Sequence, residues 1–235
     1  MNKKLMLLTL AAVSAAMFAV PSIASAGNWN LDGAFPAKFT IKHTGTMLIG
    51  SSSGNTVECT TITGSGQYNN ATSGVLTLKY HSCKDLATGT TCTGTADPAG
   101  TISSTANLTF QNVYLEKDVN GVPHNPGITI KGVTAGGIGE HVATFKCKFG
   151  LLTTILSGTV LAALDNPGVE CNNLRKELAI KFETTAHGVQ RWNQVTTTGA
   201  IEDLTAMLNG TPETAALVGT TDLNLENSVT ATCTA

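Results

Sequence analysis

Gly74-Val75-Leu76-Thr77-Leu78-Lys79-Tyr80-His81 decides the fold class of this chain. Leu76, Leu78 and Tyr80 fall on one side of an extended backbone, and Thr77, Lys79 and His81 on the other. A two-residue period of this kind marks a half-buried strand. The same alternation returns in Val142 to Lys148, with Ala143, Phe145 and Cys147 on one face. Leu178 to Glu183 repeats it with Leu178, Ile180 and Phe182. Further strands are predicted over 37–43, 46–50, 56–64, 105–115, 127–133, 153–164, 189–198 and 221–233. Threonine pervades these segments, as in Thr60-Thr61 and Thr196-Thr197-Thr198. It is β-branched, disfavours helix and keeps a solvent face wet without charge. The 24 glycines punctuate the apolar runs at the spacing of a sandwich or barrel. The expected fold is therefore all-β, an antiparallel β-sandwich or barrel-like, disulfide-stapled, after an N-terminal signal peptide.

Turn residues divide the strands. Asn120-Gly121 suits a type I′ hairpin, and Asp165-Asn166-Pro167-Gly168 reads as a tight turn. The segment 118–127, with Pro123 and Pro126, is the expected long loop. Residues 200–209 fit either a short helix or a strand ending in the Asn209-Gly210 turn, with strand favoured.

Residues 1–26 carry the marks of an export signal. Asn2-Lys3-Lys4 is a basic start, Leu5 to Val20 is uncharged and apolar, Pro21 breaks the run, and Ala24-Ser25-Ala26 is a small-residue cleavage site. The run is short for a membrane span of about 20 residues, and no later segment is long and apolar enough for one. The mature chain is then 27–235, one all-β domain or two closely packed β subdomains, secreted or at the cell surface. Of 14 basic side chains, Lys3 and Lys4 leave with the signal, which leaves 12 against 16 acidic ones. Only Arg175 and Arg191 are arginines, so the basic footprint of a nucleic-acid binder is missing.

Six cysteines, Cys59, Cys83, Cys92, Cys147, Cys171 and Cys233, suggest three disulfides in an oxidising compartment. The favoured pair is Cys83–Cys92, the closest in sequence, because Asp85 and Gly89 let the chain turn back. Its rival is Cys59–Cys83, which would meet across a hairpin centred near residue 71. No C-x-x-C pair is present, so no zinc site is expected.

Chemistry-bearing motifs are sparse. His43, His81, His124, His141 and His187 never stand two or four apart, so no strand or helix presents a ready ligand pair. Gly64-Ser65-Gly66 lacks the full nucleophile-elbow pattern, and Asp118-Val119-Asn120-Gly121 lacks the later acidic positions of a calcium loop. Trp192, in Gln190-Arg191-Trp192-Asn193-Gln194, is the one candidate binding residue, since an exposed indole beside amides stacks on sugar rings; the alternative is a core or strand-edge residue, with Gln190 and Trp192 facing opposite to Val189, Arg191 and Asn193. No catalytic residue, metal or cofactor is expected.

The runs Cys59-Thr-Thr-Ile-Thr-Gly-Ser-Gly-Gln-Tyr68 and Ala71-Thr-Ser-Gly-Val-Leu-Thr-Leu78, with Ser82-Cys83 and Thr91-Cys92, resemble a group of secreted actinobacterial all-β proteins of unknown function. Thr144-Phe145-Lys146-Cys147, Ser157-Gly158-Thr159-Val160 and Leu178 to Phe182 are similar to later patches of that group. The resemblance implies export and a β fold, and no activity. The functional expectation is a secreted, disulfide-stabilised binding or cell-surface component, with carbohydrate as one possible partner. The alternatives are a hydrolase whose site assembles only in the fold, and a pore or membrane-associated β protein.

Overall fold

The computed structural model describes residues 28–105, 107–117, 123–132, 141–147, 153–186, 188–192, 203–208 and 210–233. The expected signal 1–26, His187, and the Asp118 and Asn120-Gly121 motifs lie outside these residues. In chain order the strands begin with β1 (Asn30–Asp32), β2 (Ala37–Ser51), β3 (Thr56–Tyr68), β4 (Ser73–His81), β5 (Lys84–Asp85) and β6 (Cys92–Gly94). Then come β7 (Ile102–Ser103), β8 (Leu108–Lys117), β9 (Pro123–Lys131), β10 (His141–Cys147), β11 (Thr153–Ser157) and β12 (Thr159–Leu164). A single helical turn, α1 (Pro167–Glu170), precedes β13 (Leu174–Phe182), β14 (Thr184–Ala186), β15 (Val189–Gln190), β16 (Thr205–Leu208) and β17 (Thr211–Thr232).

Several expectations change in detail. The segments 37–43 and 46–50 are one long strand with an irregularity between Thr44 and Met47. The 153–164 segment divides at Gly158 into β11 and β12. The expected loop 118–127 is strand from Pro123 onward. There the pairing of β9 with β12 stops at Gly127, and such an edge tolerates Pro126, which has no N–H to donate. The expected tight turn at 165–168 opens α1, with proline at the start of the helix, where no N–H is needed. Residues 205–208 are strand, because β16 finds partners on both sides, β11 and β17.

Eight antiparallel strands close into a ring in the order β17-β2-β3-β4-β8-β9-β12-β13, with β13 returning to β17. The alternation read from the sequence fills its interior with Ile41, Ile62, Leu78, Tyr80, Ile128, Ile180, Phe182 and Leu223, all buried. Phe39, Tyr68 and Phe110 add a cluster of edge-to-face rings. Gly66 makes room for it: a Cβ there would lie 2.5 Å from the Phe39 ring and 2.4 Å from the Val75 carbonyl. The space left in this ring is about 20 Å³, so the barrel is solid. Its outer face carries Lys38, Thr40, Lys42, Lys79, Thr109 and Gln111, all exposed. A membrane barrel has the reverse sense, apolar outward.

One end of the ring is plugged by the segment before β1. Trp29, fully buried, donates its indole N–H to the Gly127 carbonyl at 2.7 Å. Asn112, buried on β8, donates to the Trp29 carbonyl and accepts from the Tyr68 hydroxyl.

At the other end β2, β3 and β17 run on into a second ring. Register shifts between Thr44 and Met47 and between Val218 and Asp222 mark the passage. Gly219 there has φ +147°, a backbone conformation that glycine adopts without penalty. Beyond this level β17 pairs with β16, β16 with β11, β11 with β10 and β10 with β6. β3 pairs with β5 on the opposite flank. The hairpin joining β5 to β6 closes the circle through the Lys84–Thr91 bridge and the Cys92 N–H to Cys83 carbonyl bond. The molecule is thus two β-barrels built on three shared strands.

A candidate ligand cavity in the second barrel

The second barrel is hollow. Alternate residues of six strands face a common space of about 450 Å³, within the range of small-molecule sites. Ile49 and Ser51 come from β2, Val57 from β3, Phe145 and Cys147 from β10, Thr154 and Leu156 from β11, Ala206 and Leu208 from β16, and Glu213 and Ala215 from β17. The first barrel is filled by isoleucine, leucine and aromatic rings. Here Ser51, Ala206 and Ala215 stand at inward positions, and their small volumes leave the lumen open.

The cavity has an apolar wall and a polar rim. Ser53 donates to Glu213 Oε2 at 2.5 Å, bonds Ser51 at 3.0 Å, and accepts from Asn55 Nδ2 at 2.7 Å. The hydroxyl bond from Ser53 holds the Glu213 carboxyl below its ordinary range, so it is an anion at neutral pH. Across the mouth, Asp85 Oδ1 accepts from the Thr88 N–H and hydroxyl, both at 2.7 Å, and shapes the β5–β6 turn. No lysine, arginine or histidine is among the described lining residues.

All six cysteines are oxidised, as Cys59–Cys83, Cys92–Cys147 and Cys171–Cys233. The expected Cys83–Cys92 bond is not formed. Cys83 and Cys92 do face each other, but as a backbone-hydrogen-bonded pair, the wider of the two antiparallel pair types. Each sulfur instead joins the neighbour on its other side, where Cα atoms are 4.1 Å apart for Cys59–Cys83 and 3.9 Å for Cys92–Cys147. Two disulfides therefore staple the closing hairpin to β3 on one flank and to β10 on the other, and Cys147 itself lines the cavity.

Trp192 does not form a stacking platform. It is 6% exposed, packed with Val113, Leu115, Leu161 and Ala163 on the outside of the first barrel. The Arg191 guanidinium lies 4.7 Å from its ring centre. Neighbouring Gln190 is equally internal. Its amide accepts from the Leu161 N–H at 2.8 Å and donates to the Thr159 carbonyl at 2.9 Å. It replaces the strand that β12 lacks there, since β13 pairs with β12 only at Ala163 and Leu164.

The other motifs stay apart. His81 bonds Thr63 on the sheet surface, and His124 meets Glu116 at 3.1 Å. Ser65 sits in mid-strand between Thr40 and Thr77, not on a turn. Among the described residues no three of His, Cys, Asp and Glu converge as a metal site, and no helix is long and apolar enough to cross a membrane. No protein-family model, curated protein or solved structure matches the chain. Spacing alone assigned no site role to Ser51, Ala206, Glu213 or Ala215. The signal for them was the small or polar residue at the inward position of an otherwise apolar alternation.

Proposed function

We propose that the protein is exported and acts as a binding module whose second barrel holds a small, mainly apolar molecule. The hollow lumen carries this reading: an apolar wall of Ile49, Val57, Phe145, Leu156 and Leu208 beneath a rim of hydrogen-bonding groups. Export is supported by the 1–26 signal pattern and by three disulfides, which persist in oxidising compartments. The resemblance to secreted actinobacterial proteins points the same way. A hydrolytic role is less well supported, because an anionic Glu213 held low is a poor general base for the Ser53 hydroxyl beside it. A pore is disfavoured by the polar outer face of the first barrel and its solid interior.

The test is titration of the mature chain with the neutral fluorophore N-phenylnaphthylamine. Saturable one-to-one enhancement is expected. Ala206→Phe, which puts a ring into the lumen, abolishes it while the circular dichroism spectrum stays unchanged. Enhancement that does not saturate, or that survives Ala206→Phe, would remove the cavity from the function.

A further inference from the structure

We infer that the preferred occupant is an alkyl amine, its ammonium on Glu213 and Ser51 at the rim and its chain against the wall of Phe145 and Leu156. The inference rests on the cavity being a binding site and adds the chemistry of its head group.

Proton bookkeeping at the rim decides that chemistry. The single Ser53 hydroxyl proton goes to Glu213 Oε2. In the Ser51–Ser53 bond the proton must then come from Ser51. Asn55 supplies a second donor to Ser53 Oγ, which is thereby saturated with two bonds accepted and one donated. Every hydroxyl proton of the network thus points along the chain from Ser51 to Ser53 to Glu213. What remains for a ligand is acceptor capacity: the lone pairs of Ser51 Oγ and those of the carboxylate. Ser51 is only 4% exposed, so solvent reaches it poorly.

An ammonium has three donors and no acceptor, and complements such a surface. A carboxylate head would set acceptors on acceptors and place its charge beside that of Glu213, with Asp85 across the mouth. A hydroxyl head falls between, donating one neutral bond where the amine donates charge-assisted ones. The apolar wall supplies affinity in proportion to chain burial and does not discriminate among the three heads.

Displacement of N-phenylnaphthylamine at neutral pH by decylamine, decanol and decanoate reads the preference directly. Decylamine is expected to bind about tenfold or more tightly than decanoate, with decanol between them. Glu213→Gln should bring the three within about twofold of one another. Glu213→Asp keeps the charge and should keep the order, which separates loss of charge from loss of fold. Decanoate equal to or tighter than decylamine overturns the inference, as does an amine preference that survives Glu213→Gln. If the fluorophore binds and the heads are not distinguished, the head-group assignment fails and the cavity stands. If neither fluorophore nor any alkyl compound binds, the cavity reading fails with it.

Discussion

Glu170 is a carboxyl whose surroundings work against its charge. It ends α1, is 6% exposed, and accepts the Ala179 N–H on Oε1 at 2.7 Å, while Oε2 is buried without a hydrogen-bond partner. Burial raises its pKa from 4.5 to about 7, with the nearby Asp165 charge adding to the rise and Arg175 opposing it. The native state therefore holds a proton that the unfolded chain releases between these values. Stability is full below about pH 4.5 and falls as pH rises through 7. Glu170→Gln should flatten that fall and stabilise the protein above pH 7 by roughly 2 kcal/mol, allowing for partial solvation. Urea titrations at pH 5 and pH 8 check this, and an unchanged pH slope in the variant would contradict it. The same scale explains Gln190. One side-chain amide supplies both hydrogen bonds of a missing strand, which is why Gln190 is buried.

At the level of elements, the β5–β6 hairpin is the weakest closure. β5 has two residues and β6 three, so few backbone bonds hold the second ring shut there. The Cys59–Cys83 and Cys92–Cys147 bonds make up the difference on either side. Cys92–Cys147 spans 55 residues, and a loop of that length is worth roughly 2–4 kcal/mol in restricted unfolded-state freedom. The paired Cys92→Ala, Cys147→Ala variant should lose about that much in denaturant unfolding and bind N-phenylnaphthylamine more weakly, since Cys147 is part of the cavity wall. Unchanged stability and affinity would show that the hairpin closes the barrel unaided. β2 and β17 have the opposite character. At 15 and 22 residues they pass through both rings and transmit the order of the solid barrel into the hollow one.

For the molecule as a whole, the contrast between a filled and an empty barrel has a dynamic consequence. Ile41, Ile62, Ile128 and Ile180 sit in close-packed surroundings, where opening a backbone bond disrupts a core. The strands β10, β11 and β16 line a space with few atoms to lose contact with. Amide hydrogen exchange should be slowest in β4, β9 and β13 and clearly faster in β11 and β16. Saturating decylamine should slow the second group and leave the first unchanged. Uniform exchange across both barrels would contradict this picture.

The sequence by itself determined the strands, because side-chain alternation is local. Leu76, Leu78 and Tyr80 face inward as their spacing requires, and so do Leu178, Ile180 and Phe182. It also determined that six cysteines would pair, since an even set with no metal-ligand spacing has few other uses. Hairpin spacing offered Cys59–Cys83 as one of two pairs, but the choice between them and the other two bonds were decided by tertiary structure. Which antiparallel pair is narrow depends on the backbone hydrogen-bond register, and register is not written in spacing. Trp192 was decided the same way: its neighbours Val113, Leu115, Leu161 and Ala163 come from strands β8 and β12, far from it in the chain. The cavity is the fullest case. Ser51, Phe145, Ala206 and Glu213 acquire a common interior only when eight segments close into a ring. Closure is a property of the whole sheet, fixed by how its strands pair around the circle, and no window of sequence contains it.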